Sequence, residues 1–382
     1  MNKLCLWLFF LFVSLSSFSQ NESTHFYSMF GQYGWVMPTN DFVRGENTDN
    51  ETISQVYALS LRYAVQTAGE KYWHQMYDYP SYGFGIYTAD FNVKNQLGRP
   101  VALYAFITKP IFSKGKYNLT GDYALGMAFN WTHFTCSHPE RVVMGGYASC
   151  YIDATFTLNR ILSQNLALGL GVSLSHFSNG AIRKPNKGLN LISSKLSVNY
   201  YPKPLKQHKT TPLPHFDKRT DDLWSVFIGS HNVLTTLPAQ FEDEPYDRRS
   251  YFVFGIDRRV LRRFNLKHSL GFGLGLGYNQ YVGTSYKIID RELRFYGISH
   301  AERFNFSAYI SYEYSIHRLG IVLEPGIYLY KNKLDESKRL FQRIGLRYNF
   351  ANGFFAGLNL RAANFSVAQY IEWTIGFATR NS

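Results

Sequence analysis

Cysteine is scarce in this chain, with three in 382 residues. Cys5 lies in an N-terminal apolar run, which leaves Cys136 and Cys150. Neither has a histidine at zinc-ligand spacing, so a metal site is excluded, and no cofactor is expected. The loop between them must return to a strand that begins near Cys150, which should bring the two within bridging distance; two free thiols are the alternative. Long apolar runs are scarcer still. Leu4 to Val13 is one, too short to cross a bilayer as a helix, and nothing later resembles a spanning helix. With Lys3 ahead of it and the small residues of Ser14–Ser19 behind, residues 1–19 read as a secretory signal cut near Ser17-Phe18-Ser19. Charge is sparse at 18% and lopsided, 40 Lys and Arg against 27 Asp and Glu. The net charge of +13 becomes +12 once Lys3 leaves with the signal. Export makes nucleic acid a poor partner, and a basic surface at a membrane points to anionic lipid head groups.

What the chain does have is aromatic residues, 29 Tyr and 31 Phe, with a mean hydropathy of −0.22. An apolar outside wrapped around a polar inside gives that combination, as in a transmembrane β-barrel. Period-two alternation supports it: in Phe304 to Tyr314 every even residue is apolar or aromatic, and Ile371, Trp373, Ile375 and Phe377 alternate with Glu372, Thr374, Gly376 and Ala378. Strands are predicted at 25–36, 55–66, 82–92, 101–112, 116–130, 149–159, 165–177, 188–201, 222–234, 250–261, 265–280, 303–316, 319–331, 338–349, 354–364 and 368–379. The fold class is therefore all-β, one transmembrane antiparallel barrel of about 14–16 strands, counting from about ten residues per tilted strand. Counting from a periplasmic start, short turns follow even strands and long loops follow odd ones. Two inward connections depart from this, 67–81 and 202–221. The second, rich in Pro and Lys, divides an N-terminal half (20–201) from a C-terminal half (222–382) and is a plug, a turn or a boundary. Inward parity puts Glu313, Arg343, Arg347 and Glu372 in the lumen, lining a pore or pairing to fill it.

One segment carries candidate chemistry. Leu166, Leu168, Leu170, Val172 and Leu174 share a face that continues through His176 and Ser178, while Gly169, Gly171, Ser173 and Ser175 take the other. In a barrel the leucine face meets lipid, so His176 and Ser178 point outward at the strand's outer end. Asn190 has the same outward parity on the next strand. A hydroxyl, an imidazole and an amide then converge on the external wall, a set suited to ester hydrolysis. His176 would be the general base, Ser178 the nucleophile and Asn190 the partner that fixes the imidazole tautomer. Asn179, or backbone N–H groups around Gly180, would form an oxyanion hole, and Arg183, Lys184 and Lys187 would hold a phosphate or sugar head group.

The stretch His176-Phe177-Ser178-Asn179-Gly180 followed by Pro185-Asn186-Lys187-Gly188 resembles the signature of outer-membrane lipid A 3-O-deacylases and their acyloxyacyl-hydrolase-like relatives. The resemblance is clearest over 80–201, and Gly326 to Tyr330 and Tyr370 to Trp373 resemble the end of longer members. It implies a serine esterase acting on lipid A of lipopolysaccharide, in the outer membrane and facing the outer leaflet. His176 would be base, Ser178 nucleophile and Asn179 an oxyanion donor. Where the small enzymes place a glutamate beside the histidine, this chain has Asn190. The alternative is a noncatalytic barrel, a channel or a lipopolysaccharide-binding protein, that retains the motif.

Overall fold

The computed structural model describes residues 24–381 apart from 94–95, 205–207, 239–240, 242–244, 290–291 and 366. The expected signal segment lies outside the described residues. Alternating sequence becomes strand throughout. The first eight are β1 (Thr24–Val36), β2 (Gln55–Gln66), β3 (Ser81–Asp90), β4 (Gly98–Lys114), β5 (Tyr117–Trp131), β6 (Ser149–Ile161), β7 (Leu166–Ser178) and β8 (Leu189–Tyr200). They are followed by β9 (Arg219–Thr236), β10 (Tyr246–Arg263), β11 (His268–Asn279), the short pair β12 (Ser285–Ile289) and β13 (Glu292–Tyr296), then β14 (Phe304–Ile316), β15 (Leu319–Tyr330), β16 (Leu340–Asn349), β17 (Phe354–Ala363) and β18 (Val367–Asn381). Two short helices sit in connections, α1 (Asp41–Arg44) and α2 (Tyr72–Met76).

Sixteen strands build barrel walls, at the positions the alternation gives to within a few residues, but they close twice rather than once. β1 to β8 form one closed barrel, sealed where β1 pairs with β8 (Tyr27 opposite Tyr200). β9, β10, β11 and β14 to β18 form a second, sealed where β18 pairs with β9 (Ile375 opposite Val226). The expected single barrel is thus corrected to two eight-stranded ones, and the 202–221 stretch holds the connection between them. β12 and β13 form a separate hairpin within the long connection after β11. Longer connections gather mostly at one end of each barrel, here the loop end, and tight turns at the other, the turn end, where 67–80 with α2 is a long exception.

The walls are inverted relative to a water-soluble protein. Along β7, Leu168, Leu170, Val172 and Leu174 are exposed while Gly169, Gly171, Ser173 and Ser175 are buried. Eight strands leave an interior that side chains fill. In the first barrel Arg62 pairs with Asp122 at 3.2 Å, and Tyr87, Tyr104, Tyr151 and Phe177 stack above it towards the loop end. A cavity of about 380 Å3 reaches in from Gln164 and Pro204 at the turn end and stops at the Arg62–Asp122 layer. The second barrel is filled by charge. Arg343 pairs with Asp257 at 2.9 Å and Glu372 at 3.5 Å, Arg259 with Glu324 at 3.2 Å, Arg361 with Glu372 at 2.6 Å, and Arg347 with Glu313. The lumenal charges pair with each other rather than line a pore.

The barrels touch at both ends. At the turn end the Tyr77 hydroxyl donates to the Ser315 carbonyl, and Lys267 Nζ donates to the Met76 carbonyl at 2.6 Å. At the loop end Phe134 packs edge-on against Tyr246, centroids 5.2 Å apart, and the Lys184 backbone N–H donates to Asn232 Oδ1 at 2.8 Å.

Candidate active site on the first barrel

The antiparallel register of β6, β7 and β8 sets the site. His176 lies directly opposite Asn190, and Ser178 opposite Cys150, so all four side chains share the outer face near the loop end. His176 Nδ1 and Asn190 Oδ1 are 2.7 Å apart. An amide oxygen only accepts, so with the amide in this orientation Nδ1 carries the proton and Nε2 is left as the basic nitrogen. Asn190 is held in turn: its Nδ2 donates to Thr39 Oγ1 at 3.3 Å, and its backbone carbonyl accepts from the Met37 N–H at 2.9 Å.

Ser178 Oγ accepts two hydrogen bonds, from Asn186 Nδ2 at 2.8 Å and from the Gly180 N–H at 3.2 Å. Both lone pairs are then occupied, and the hydroxyl proton is the group left to donate. Gly188 shows where His176 stands. A Cβ there would lie 3.3 Å from His176 Cε1 and 3.7 Å from Ser178 Cβ; those two distances together keep the imidazole edge and the serine within about 7 Å, and no hydrogen bond joins the two side chains. With φ at +70° as well, position 188 tolerates little but glycine.

The loop from 179 to 188 places the other expected residues. The Asn179 N–H donates to Asn186 Oδ1 at 3.0 Å and its side-chain amide to the Arg183 carbonyl at 2.7 Å, so Asn179 shapes the loop while Asn186 is the amide on the serine. The Gly180 N–H does point at Ser178 Oγ. Gly180 also marks the second barrel's approach, since a Cβ there would lie 2.8 Å from Ile371 Cδ1. The three basic residues diverge. Arg183 and Lys187 are exposed, and the Lys187 N–H bonds to the Val142 carbonyl at 3.0 Å; Lys184 is half-buried towards the second barrel, where burial lowers its ammonium pKa. Asn186, Thr39 and Asn40, whose Nδ2 supports the Gly188 carbonyl at 3.2 Å, are site residues the sequence reading assigned no role. Asn186 lay inside the recognised motif; Thr39 and Asn40 are over a hundred residues away and carried no local signal.

The expected bridge between Cys136 and Cys150 is not formed, and both thiols are free. Cys150 sits on the outer wall beside Ser178, while the loop carries Phe134 and Cys136 towards Tyr246 and Arg248 of the second barrel.

Two family models match. Residues 57–201 match lipid A 3-O-deacylase (PagL), and residues 223–381 match the acyloxyacyl hydrolase C-terminal domain. No curated protein matches the chain. Solved structures matched along most of their length include the TodX deltaS2S3 mutant monoaromatic hydrocarbon channel (9% identity, 94% of this chain and 91% of that one, TM-score 0.20). Others are the Pseudomonas putida toluene transporter TodX (10%, 94% and 89%, 0.18) and the siderophore receptor PirA from Pseudomonas aeruginosa (7%, 94% and 81%, 0.27). Similarity that loose carries no argument about this chain. The two family matches together take in β2 to β8 of the first barrel, the second barrel and the His176–Ser178 site, and by them the chain belongs to the outer-membrane lipid A 3-O-deacylase and acyloxyacyl-hydrolase-like family.

Proposed function

We propose that this protein is a serine esterase that removes an ester-linked acyl chain from lipid A in the outer leaflet. The observation that carries the reading is the polarised pair on the outer wall: His176 Nδ1 held by Asn190 at 2.7 Å, beside a serine whose oxygen is already met by two N–H donors. His176 Nε2 takes the Ser178 proton as Oγ attacks the acyl carbonyl. Negative charge develops on the carbonyl oxygen, and the Asn186 amide and Gly180 N–H are the donors close enough to receive it. Collapse expels the sugar hydroxylate, which takes the proton back from His176. Water then enters by the same base to release the fatty acid. The lipid-facing position suits a substrate that never leaves the bilayer. The paired charges inside both barrels weigh against the channel alternative.

The test is turnover of purified lipid A in detergent micelles, read by mass spectrometry. Ser178→Ala and His176→Ala should each abolish acyl release. Both barrels should stay folded, since neither side chain fills a core. Acyl release by Ser178→Ala equal to that of the unaltered protein would overturn the reading.

A further inference from the structure

Where the two barrels meet at the loop end, one guanidinium has no ion-pair partner among the described residues. Arg248, on β10, extends over the Phe134 ring of the first barrel, 5.4 Å from its centroid. Its Nε and Nη2 are shielded from solvent and form no hydrogen bond. Among the described residues the adjoining acid is engaged elsewhere, Asp247 with Arg249 at 2.8 Å. The charge that acts on Arg248 is of its own sign, Arg183 from the 179–188 loop; the other group in electrostatic reach is the Cys136 thiol. Lys184, next in sequence, has its backbone fixed to Asn232 of the second barrel at 2.8 Å, while its ammonium turns towards His231. Cationic groups from two barrels therefore gather with guanidinium donors unfilled. Buried charged donors left unpaired are costly, and a multi-oxygen anion is what would satisfy them.

The place matters as much as the charge. Arg183 is tied to the site through its carbonyl, which accepts from Asn179 at 2.7 Å, and Asn179 adjoins Ser178. Gly180 of the same loop packs on Ile371 of the second barrel. We propose that a phosphoryl group on the lipid substrate is clamped between the barrels by Arg183 and Arg248, so that the second barrel completes the substrate site. This rests on the reading of lipid A as substrate and makes Arg248 a binding residue with no part in bond cleavage.

Binding measured in a Ser178→Ala background separates the clamp from catalysis, because no turnover is needed. Phosphorylated lipid A and the same lipid stripped of its phosphates are titrated in detergent micelles against Ser178→Ala alone and with Arg248→Gln, Arg248→Lys or Arg183→Gln. Arg248→Gln and Arg183→Gln should each weaken the phosphorylated lipid by about tenfold or more and leave the stripped lipid unchanged. Arg248→Lys, which keeps the charge but loses the fork, should fall between. Heat-modifiable gel mobility reports that each variant is folded. An equal loss for both lipids would make Arg248 a packing residue, and no loss for either would remove it from the site. Inorganic phosphate bound as tightly as the lipid would assign the clamp to free phosphate. Any of these overturns the proposal, whereas failure of the unaltered protein to turn lipid over, with the binding difference intact, overturns only the esterase reading.

Discussion

At the scale of single residues, the unusual choice is a neutral partner for the base. Asn190 fixes the His176 tautomer but brings no negative charge to the imidazolium that forms in the reaction. In a serine protease the comparable loss of a carboxylate costs about ten-thousand-fold. Asn190→Asp leaves the oxygen where Oδ1 now lies, and Thr39 Oγ1 can turn to donate to it, so kcat should rise by about tenfold or more. Asn190→Glu, with an added methylene to fold away, should gain less. A lower kcat in both would mean that the site is tuned to an amide. Asn186→Ala should cut kcat by about 100- to 1000-fold with little change in KM, as expected for a donor that acts mainly on the developing oxyanion. The outward parity of His176, Ser178 and Asn190 was legible because period two is enforced by the pleat. Asn186 was not, because a loop has no parity and its amide reaches Ser178 through a turn with left-handed residues at Gly180 and Ala181.

At the scale of elements, long strands could be read and short ones could not. Strands of ten or more residues with one lipid-facing row stand out, whereas β12 and β13 have five residues each and no buried face to impose a pattern. The five-residue α2 was equally silent, yet it holds the turn-end contact between the barrels. His74 of α2 is buried there and its pKa is pushed down to about 4, first by burial and then by Lys71 and His317. Its uncharged form is the one that fits. Its contribution is therefore complete above the ordinary histidine pKa of about 6.5 and is lost as pH falls towards 4. We predict that the thermal midpoint falls over that interval and that His74→Phe flattens the fall. An unchanged pH profile in that variant would remove His74 as the cause.

At the scale of the whole molecule, sixteen wall strands were visible, but not how they close. Alternation is the same along a strand of an eight- or a sixteen-stranded barrel, and closure depends on β1 meeting β8, a pairing far apart in sequence. The polar stretch at 202–221 was the one local trace of the division. Closure in eights also decides the lumen, for a sixteen-stranded wall could enclose water whereas each of these is blocked by paired charge, in the first barrel at the Arg62–Asp122 layer. Reconstituted in planar bilayers, the protein should show no conductance steps; regular steps would contradict the blocked interior. Glu372→Ala, which strips both Arg343 and Arg361 of a buried partner, should destabilise the second barrel by about 3–5 kcal/mol in urea titrations. The closing contact between β1 and β8 has a consequence for how the molecule is made. Once residue 200 is in place the first cylinder has no free edge left, so insertion can proceed in two acts.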